Sequence, residues 1–152
     1  MQHPPFHLAL PVNDLEKAAW FYGEILGCPM GRRSERWIDF DLHGHQIVAQ
    51  LVDKNDPFWQ RAMPTNSVSG HQVPAAHFGL ILPDRKVWLG TARRFQSAGV
   101  DFLVPPHTRF AGKAGEQGTF FVKDPTGNAL EFKYFANPGE IFAPFEDQKP
   151  SR

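Results

Sequence analysis

The sequence predicts an α+β fold made of two copies of one βαβββ module. A strand-start histidine and a helix-capping aspartate each occur twice, as His7 and His77 and as Asp14 and Asp84, with one shared offset of 70 residues (77 − 7 and 84 − 14). Fourteen prolines and 13 glycines indicate many turns, and 14 phenylalanines with four tryptophans supply apolar surface for a core. We therefore expect short strands and few helices.

The first module is expected within residues 1–52. Alternation of apolar and polar residues predicts its strands, and apolar residues at helical spacing predict one helix that Gly27 closes. The predicted elements are a strand over 6–12, a helix that begins after Asn13-Asp14, a strand over 37–42, a tight turn at His43-Gly44 and a strand over 45–52.

The second module is expected within residues 76–135 and repeats this order. Before it, residues 53–75 contain three prolines and no clear periodicity, which is typical of a linker or a functional loop. Residues 136–152, rich in proline and charge, are expected to be a C-terminal tail. The predicted elements of the second module are a strand over 76–82, a helix from Asp84 to Gly99, strands over 100–104, 119–123 and 128–135, and a loop over 107–118.

Composition narrows the class of protein. Lys plus Arg and Asp plus Glu both total 16, so the chain has no net attraction to nucleic acid or to an anionic membrane. No apolar run has the length of a membrane span, and the first residues lack the pattern of a secretion signal. Cys28, the single cysteine, fits a reducing cytoplasm and is interpreted as a packing residue.

Strand parity predicts a metal centre on His7, His77 and Glu131. On each first strand the large apolar residues share one face, whereas the histidine shares the other with a small residue, Ala9 or Gly79. Glu131 alternates out of an apolar last strand, where a carboxylate is costly unless it is paired or bound to metal. Two histidines and one carboxylate suit non-haem Fe(II), and also Mn, Zn or Ni. The alternatives are two core histidines, and a salt bridge from Glu131 to Lys133 or to an arginine.

The chain resembles the vicinal oxygen chelate superfamily, which includes glyoxalase I, extradiol dioxygenases, and fosfomycin and bleomycin resistance proteins. The resemblance is closest to small bacterial proteins related to extradiol dioxygenases. It rests on the segments Phe6–Val12, Asp14–Tyr22, Leu26-Gly27, Ala76–Gly79 and Asp124–Phe132, and on the similarity of Gly44–Ala49 and of the loop from Arg109 to Gln117.

The resemblance implies that the two modules pair as an open, cup-shaped mixed sheet around a divalent metal on His7, His77 and Glu131. It further implies an extradiol-type dioxygenase that binds a small substrate through vicinal oxygens, with Fe(II) favoured. Glyoxalase I usually has a fourth ligand where this chain has Val48, which counts against that enzyme. A glyoxalase-like isomerase, a fosfomycin-resistance-like transferase and a metal-free drug-binding protein remain as alternatives.

Further residues are candidates for the substrate pocket. His107 is the candidate acid or base, with His45, His71 and Tyr134 considered beside it, although parity places His45 and Tyr134 on the wrong face. The candidate substrate contacts are Arg109, Gln50, Phe121 and Trp59, with Asp39 as a further lining residue. Their simpler interpretations are a surface ion pair for Arg109, a loop staple for Trp59, and packing or solvation for the others.

A homodimer is expected, because a two-module chain can complete its own cup or exchange modules with a second copy. In an exchanged dimer His7 would come from one subunit, and His77 with Glu131 from the other.

Overall fold

The computed structural model describes residues 3–145, which form two compact units. The first comprises residues up to Thr65 together with Lys123–Asn128, and the second comprises Asn66–Val122 and the residues from Ala129 onward. The expectations for residues 1–2 and for the last part of the tail, 146–152, lie outside the described residues.

The first unit contains one four-stranded sheet in the order β1-β4-β3-β2. β1 runs parallel to β4, with His7 opposite Gln46 and Ala9 opposite Val48, and the other pairs are antiparallel. His43 and Gly44 both have positive φ, which confirms the predicted tight turn between β3 and β4. The elements are β1 (His7–Val12), α1 (Leu15–Ala18), a π-helical continuation (Ala19–Ile25), β2 (Met30–Arg33), β3 (Trp37–Leu42) and β4 (His45–Leu51).

The first helix begins where the sequence predicts but widens after one turn. The Asp14 side chain caps it by accepting hydrogen bonds from the backbone N–H groups of Glu16 and Lys17. From Ala19 the turns are π-helical, and the Leu26 N–H donates to the carbonyl of Phe21, five residues back, at 2.9 Å. The apolar spacing therefore identified the helix but not its change of pitch.

A buried polar network fixes the turn 124–127 within the first unit. The Tyr22 hydroxyl donates to Asp124 at 2.7 Å, and both residues are almost fully buried. Asp124 also accepts from the Asn128 side chain, whose amide reaches the carbonyl of Pro11. Burial, together with the neighbouring carboxylate, raises the pKa of Tyr22 well above its ordinary value.

The second unit contains a sheet in the order β7-β10-β9-β8, the same order as in the first unit. β7 and β10 again run parallel. The equivalent orders confirm the α+β class and the duplicated βαβββ module. The elements are β5 (Thr65–Val68), β6 (His71–Pro74), β7 (Phe78–Ile81), α2 (Arg85–Ser97), β8 (Phe102–Arg109), β9 (Gln117–Lys123) and β10 (Ala129–Phe135).

The loop expected over 107–118 is partly strand, so that expectation was wrong. β8 extends to Arg109 because it pairs with β9, placing His107 opposite Thr119. Pro105 and Pro106 hid this continuation, since proline lacks the N–H that a ladder uses. The register shifts between Val104 and His107, which accommodates both prolines.

Residues 53–75, expected to be a linker or loop, contain local structure. A 3₁₀ turn spans Pro57–Gln60, and β5 and β6 form a two-stranded hairpin. Val73 of β6 is buried against Val104 and Phe121. The hairpin therefore packs on the sheet of the second unit and is not an isolated loop. Among residues 3–145, no helix has both the length and the apolar character needed to cross a membrane.

Candidate metal centre

His77 and Glu131 form the centre of the candidate site in the second unit. Glu131 lies in β10 opposite Gly79 of β7, and His77 immediately precedes β7. The His77 Nε2 atom is 3.4 Å from Glu131 Oε2. A Cβ at position 79 would overlap the Glu131 carbonyl oxygen, so glycine is required for this approach of the two strands.

The hydrogen bonds of His77 define its tautomer. Its Nδ1 lies 3.0 Å from the carbonyl oxygen of Pro74, and a carbonyl can only accept, so Nδ1 carries the proton. In the neutral ring, Nε2 then directs a lone pair toward the Glu131 carboxylate. Two electron-rich atoms facing each other at this distance need a cation between them, either a proton or a metal ion.

The observed separation fits a shared metal ion. A metal bonded to nitrogen and oxygen at about 2.1 Å holds them about 3.0 Å apart at a right angle and about 3.4 Å apart at a tetrahedral angle. The 3.4 Å between His77 and Glu131 falls at the upper end of that interval. A histidine whose second nitrogen donates to a backbone carbonyl is also the usual arrangement of a metal-bound imidazole. The donor atoms present therefore fit a divalent metal.

Two further side chains hold Glu131. The Thr119 hydroxyl, fully buried, donates to Oε1 at 2.7 Å. The Lys133 ammonium lies 3.5 Å from Oε2, so the salt bridge considered from the sequence is present beside the histidine contact. The Glu131 side chain is 11% exposed, and such a buried carboxylate needs these partners.

His7 occupies the equivalent position in the first unit, and the Nδ1 atom of its ring also has an oxygen partner. Its Nδ1 lies 2.7 Å from Gln46 Oε1. If the Gln46 side-chain oxygen accepts, Nδ1 carries the proton and the lone pair is again on Nε2. Within each unit taken by itself, residues 3–145 contain no group of three His, Cys, Asp or Glu side chains close enough for one metal. The three predicted ligands are thus divided between the units, with His77 and Glu131 adjacent.

Val48 and Gln50 follow Gln46 on the same face of β4, as alternation predicts. Val48 is buried and Gln50 is exposed. At the position that Glu131 holds in the second unit, the first unit has Val48, and the neighbouring residues on that strand face are the amides Gln46 and Gln50. Asp39, opposite Val48, is buried and accepts from Arg32 at 3.1 Å.

The candidate substrate residues of the second unit have clear local partners. Phe121 meets the His77 ring edge-on, with centroids 5.1 Å apart. His107 contacts the carbonyl of Pro105 through Nδ1 and the hydroxyl of Ser69 through Nε2. A catalytic role for His107 would require the second of these bonds to open. The Arg109 guanidinium lies over the ring of the adjacent Phe110.

The remaining candidates have structural contacts. Trp59 donates its indole N–H to the Asp53 carbonyl at 2.7 Å, which is the staple interpretation. His45 accepts from the Phe6 N–H. Tyr134 packs against Trp88 of α2, on the helix side, as parity predicted.

Sequence reasoning missed two groups that shape this site, the Thr119 hydroxyl and the Pro74 carbonyl, and also missed the buried Gln117 on the same strand as Thr119. Gln117 is buried and shares a strand face with Thr119 and Phe121, and its Oε1 has no hydrogen-bond partner among the described residues. Alternation along β9 could have placed Thr119 and Gln117 on the same side as Phe121. No sequence signal marks a backbone carbonyl as a ligand support.

A twice-repeated βαβββ unit, with a histidine at the start of each first strand and a glutamate in the last strand, defines a class of small-molecule-binding α+β proteins. The chain belongs to the glyoxalase/bleomycin resistance protein/dioxygenase superfamily, whose family model matches residues 5–132.

The similar proteins have varied activities. A crystal structure of a glyoxalase/bleomycin resistance protein/dioxygenase from Alicyclobacillus acidocaldarius is 34% identical, with a TM-score of 0.74 over 91% of this chain and 96% of that one. The genomically encoded fosfomycin resistance protein of Listeria monocytogenes shares the fold at 18% identity, with a TM-score of 0.66 over 92% and 98% of the two chains. Catechol-2,3-dioxygenase of Bacillus subtilis (strain 168) is 24% identical over 80% of this chain, which spans only 38% of that relative's length.

Proposed function

We propose that this chain is a metal-dependent enzyme of the extradiol dioxygenase type that binds a small substrate through vicinal oxygens. His7, His77 and Glu131 would hold the metal, with Fe(II) favoured and Mn, Zn or Ni as alternatives. The observation that carries the proposal is the 3.4 Å approach of His77 Nε2 to Glu131 Oε2, with Nδ1 of the imidazole already held by Pro74. The similarity to a catechol dioxygenase supports the choice of reaction class.

The residues around the pair serve binding and orientation. Thr119 and Pro74 fix the carboxylate and the imidazole, so little order has to be created when a ligand arrives. When bound, a divalent metal supplies a template and a positive charge for the substrate oxygens. Phe121, which is buried and meets the His77 ring edge-on, provides an apolar wall beside it. Arg109, Gln50 and Trp59 remain proposed substrate contacts.

The ion pair between Lys133 and Glu131 favours one alternative, a metal-free binding protein. The carboxylate is then satisfied without an ion, and the apolar surface alone would hold the ligand. Direct metal analysis distinguishes a metal-dependent enzyme from a metal-free binding protein. A chain that neither contains nor binds Fe, Mn, Zn or Ni is a binding protein rather than a metal-dependent enzyme.

The test compares metal affinity in the wild type with His7→Ala, His77→Ala and Glu131→Gln. His43→Asn is the matched control, because His43 is a turn residue with positive φ, which asparagine tolerates. Each ligand variant should lose at least tenfold in affinity, and the control should not change. Because one shared ion couples its ligands, the double variant of His7 and His77 should lose less than the sum of the single losses. Unchanged binding in all three single variants would end the three-ligand proposal.

The reaction class has its own assay. Oxygen uptake with catechol, measured after anaerobic loading with Fe(II), should occur in the wild type and disappear in Glu131→Gln. Metal binding without oxygen uptake on any catechol would instead favour an isomerase or transferase of the same superfamily.

The assembly state is also a proposal. We propose a homodimer, either with each cup formed by one chain or with the two modules exchanged between chains. Light scattering coupled to size exclusion measures this directly, and a monomer at micromolar concentration would refute it.

A further inference from the structure

Lys133 lies in the candidate metal centre without being one of its proposed ligands. Alternation along β10 places it on the same face as Glu131, two residues earlier. Both line a cleft of about 230 Å³ whose other walls are His77, Gly79 and apolar side chains of β7. Among the described residues that line this cleft, Lys133 is the one lysine or arginine. A single side-chain cation therefore faces this cleft, beside the imidazole of His77 and the carboxylate of Glu131.

The ammonium of Lys133 and the proposed metal ion would compete for one oxygen atom. Lys133 Nζ and His77 Nε2 lie 3.5 and 3.4 Å from the same Glu131 Oε2, whereas Oε1 is held by Thr119. A divalent ion bonded to Oε2 would stand within a few ångströms of the ammonium. Like charges at such a distance repel strongly enough to change an affinity roughly tenfold even at high dielectric. The two cations therefore cannot share the oxygen at low cost.

We propose that Lys133 is a displaceable counter-ion that selects substrates with an ionised oxygen. In the metal-free chain it neutralises Glu131, and when a divalent ion takes Oε2 the ammonium turns into the cleft. There it pairs with an anionic oxygen of the substrate next to the metal. This inference rests on the proposed function, since it requires a metal at His77 and Glu131, and it adds the charge of the ligand that the site accepts.

The side chain is suited to this exchange. It is 29% exposed, so it has room to move, and a lysine is a compact point charge on a flexible stem. Arginine would differ, because its planar guanidinium forms two parallel bonds to a carboxylate. Lys133→Arg should therefore keep the charge but release Glu131 less readily. Lys133→Met keeps the length of the stem and removes the charge.

The first measurement is the affinity for Co(II), by calorimetry on the full chain. Lys133→Met should bind roughly tenfold more tightly than the wild type, because the competing cation is gone. Lys133→Arg should bind no more tightly than the wild type. Lys123→Met, a change at an exposed lysine, serves as the control, and thermal melting checks that every variant is folded.

The second measurement is binding of 4-nitrocatechol to the Co(II)-loaded chain. This probe is ionised near neutral pH, and its absorption band moves to longer wavelength when it loses its second proton. The wild type and Lys133→Arg should bind it with that shift. Lys133→Met should bind it about tenfold more weakly and with a smaller shift. A residue that merely packs against the sheet would give no difference, because methionine preserves the packing.

Each outcome has one meaning. A wild type that binds no metal refutes the proposed function, and the Lys133 proposal falls with it. Metal binding that depends on His77 and Glu131 but is equal in Lys133→Met and wild type refutes displacement alone. Equal affinity and an equal spectrum for 4-nitrocatechol refute the selection of an ionised oxygen, and leave the metal centre intact.

Discussion

Thr119→Val is the sharpest test of how the fold supports Glu131. Valine has nearly the shape of threonine, so the change removes the hydroxyl without opening a cavity. The Thr119 residue is fully buried, so its hydroxyl is a donor to Oε1 from inside the sheet. A hydrogen bond to an ionised group contributes about 1.5–3 kcal/mol. Since Lys133 and His77 still contact Oε2, the lower part of that interval is expected, about 2 kcal/mol.

Two assays measure this effect. Urea unfolding should show the loss of about 2 kcal/mol directly, which for a chain of this length lowers Tm by about 4–8 °C. Calorimetric titration with Co(II) should show metal affinity reduced by roughly 10- to 100-fold, because an unrestrained carboxylate must be ordered when the metal binds. Thr119→Ser is the control: it keeps the hydroxyl, so it should retain most of the metal affinity while losing some packing.

The pattern of results distinguishes the explanations. A loss of stability in Thr119→Ser but not in Thr119→Val, with metal affinity unchanged in both, would mean that Thr119 only packs the strand. Wild-type stability and wild-type affinity in Thr119→Val would refute the reasoning altogether, because the buried bond would then contribute nothing.

Three other changes test the packing within the two units. Tyr22→Phe removes a buried hydroxyl–carboxylate bond and should lower the free energy of unfolding by about 2 kcal/mol in urea, and a change below 0.5 kcal/mol would contradict it. Gly79→Ala places a Cβ on the Glu131 carbonyl and should cost more than about 2 kcal/mol, whereas Gly90→Ala, in open space on α2, should be neutral or stabilising. Burial raises the pKa of Cys28 from 9.0 to about 11, so the thiol of the unfolded chain loses its proton at a lower pH than the thiol of the folded chain. The free energy of unfolding should therefore fall as pH rises from 9 to 11. Urea unfolding at several pH values should show a smaller fall in Cys28→Ala.

Much of the fold could be predicted because period-two alternation and turn residues are local signals. The strand over 37–42 and the turn at His43-Gly44 have the predicted bounds. The hairpin of β5 and β6 escaped prediction because its short strands are mostly polar. Their two valines, Val68 and Val73, pack with the distant residues Val104 and Phe121. The π-helical turns after Ala19 escaped for a similar reason, since apolar spacing does not distinguish one helical pitch from another.

The site could be predicted only in part. A repeated histidine and an out-of-pattern carboxylate identified the candidate ligands, and parity placed Glu131 on the side of His77. The groups that orient these candidate ligands could not be identified from the sequence. The donor to Glu131 is a threonine on a neighbouring strand, and the support of His77 is the backbone of Pro74. Both depend on strand register, which follows from the folded sheet as a whole.

The hairpin of β5 and β6 gives the site a control point outside its lining. The tip is tied to β8 through Ser69 and His107, and the hairpin's last residue, Pro74, holds the imidazole of His77. The effect of a changed turn length or a substituted tip residue would be transmitted along the four residues of β6 to the Pro74 carbonyl and so to the ring of His77. Natural drift or laboratory evolution could thus change how the imidazole of His77 is held while His77 and Glu131 themselves stay the same.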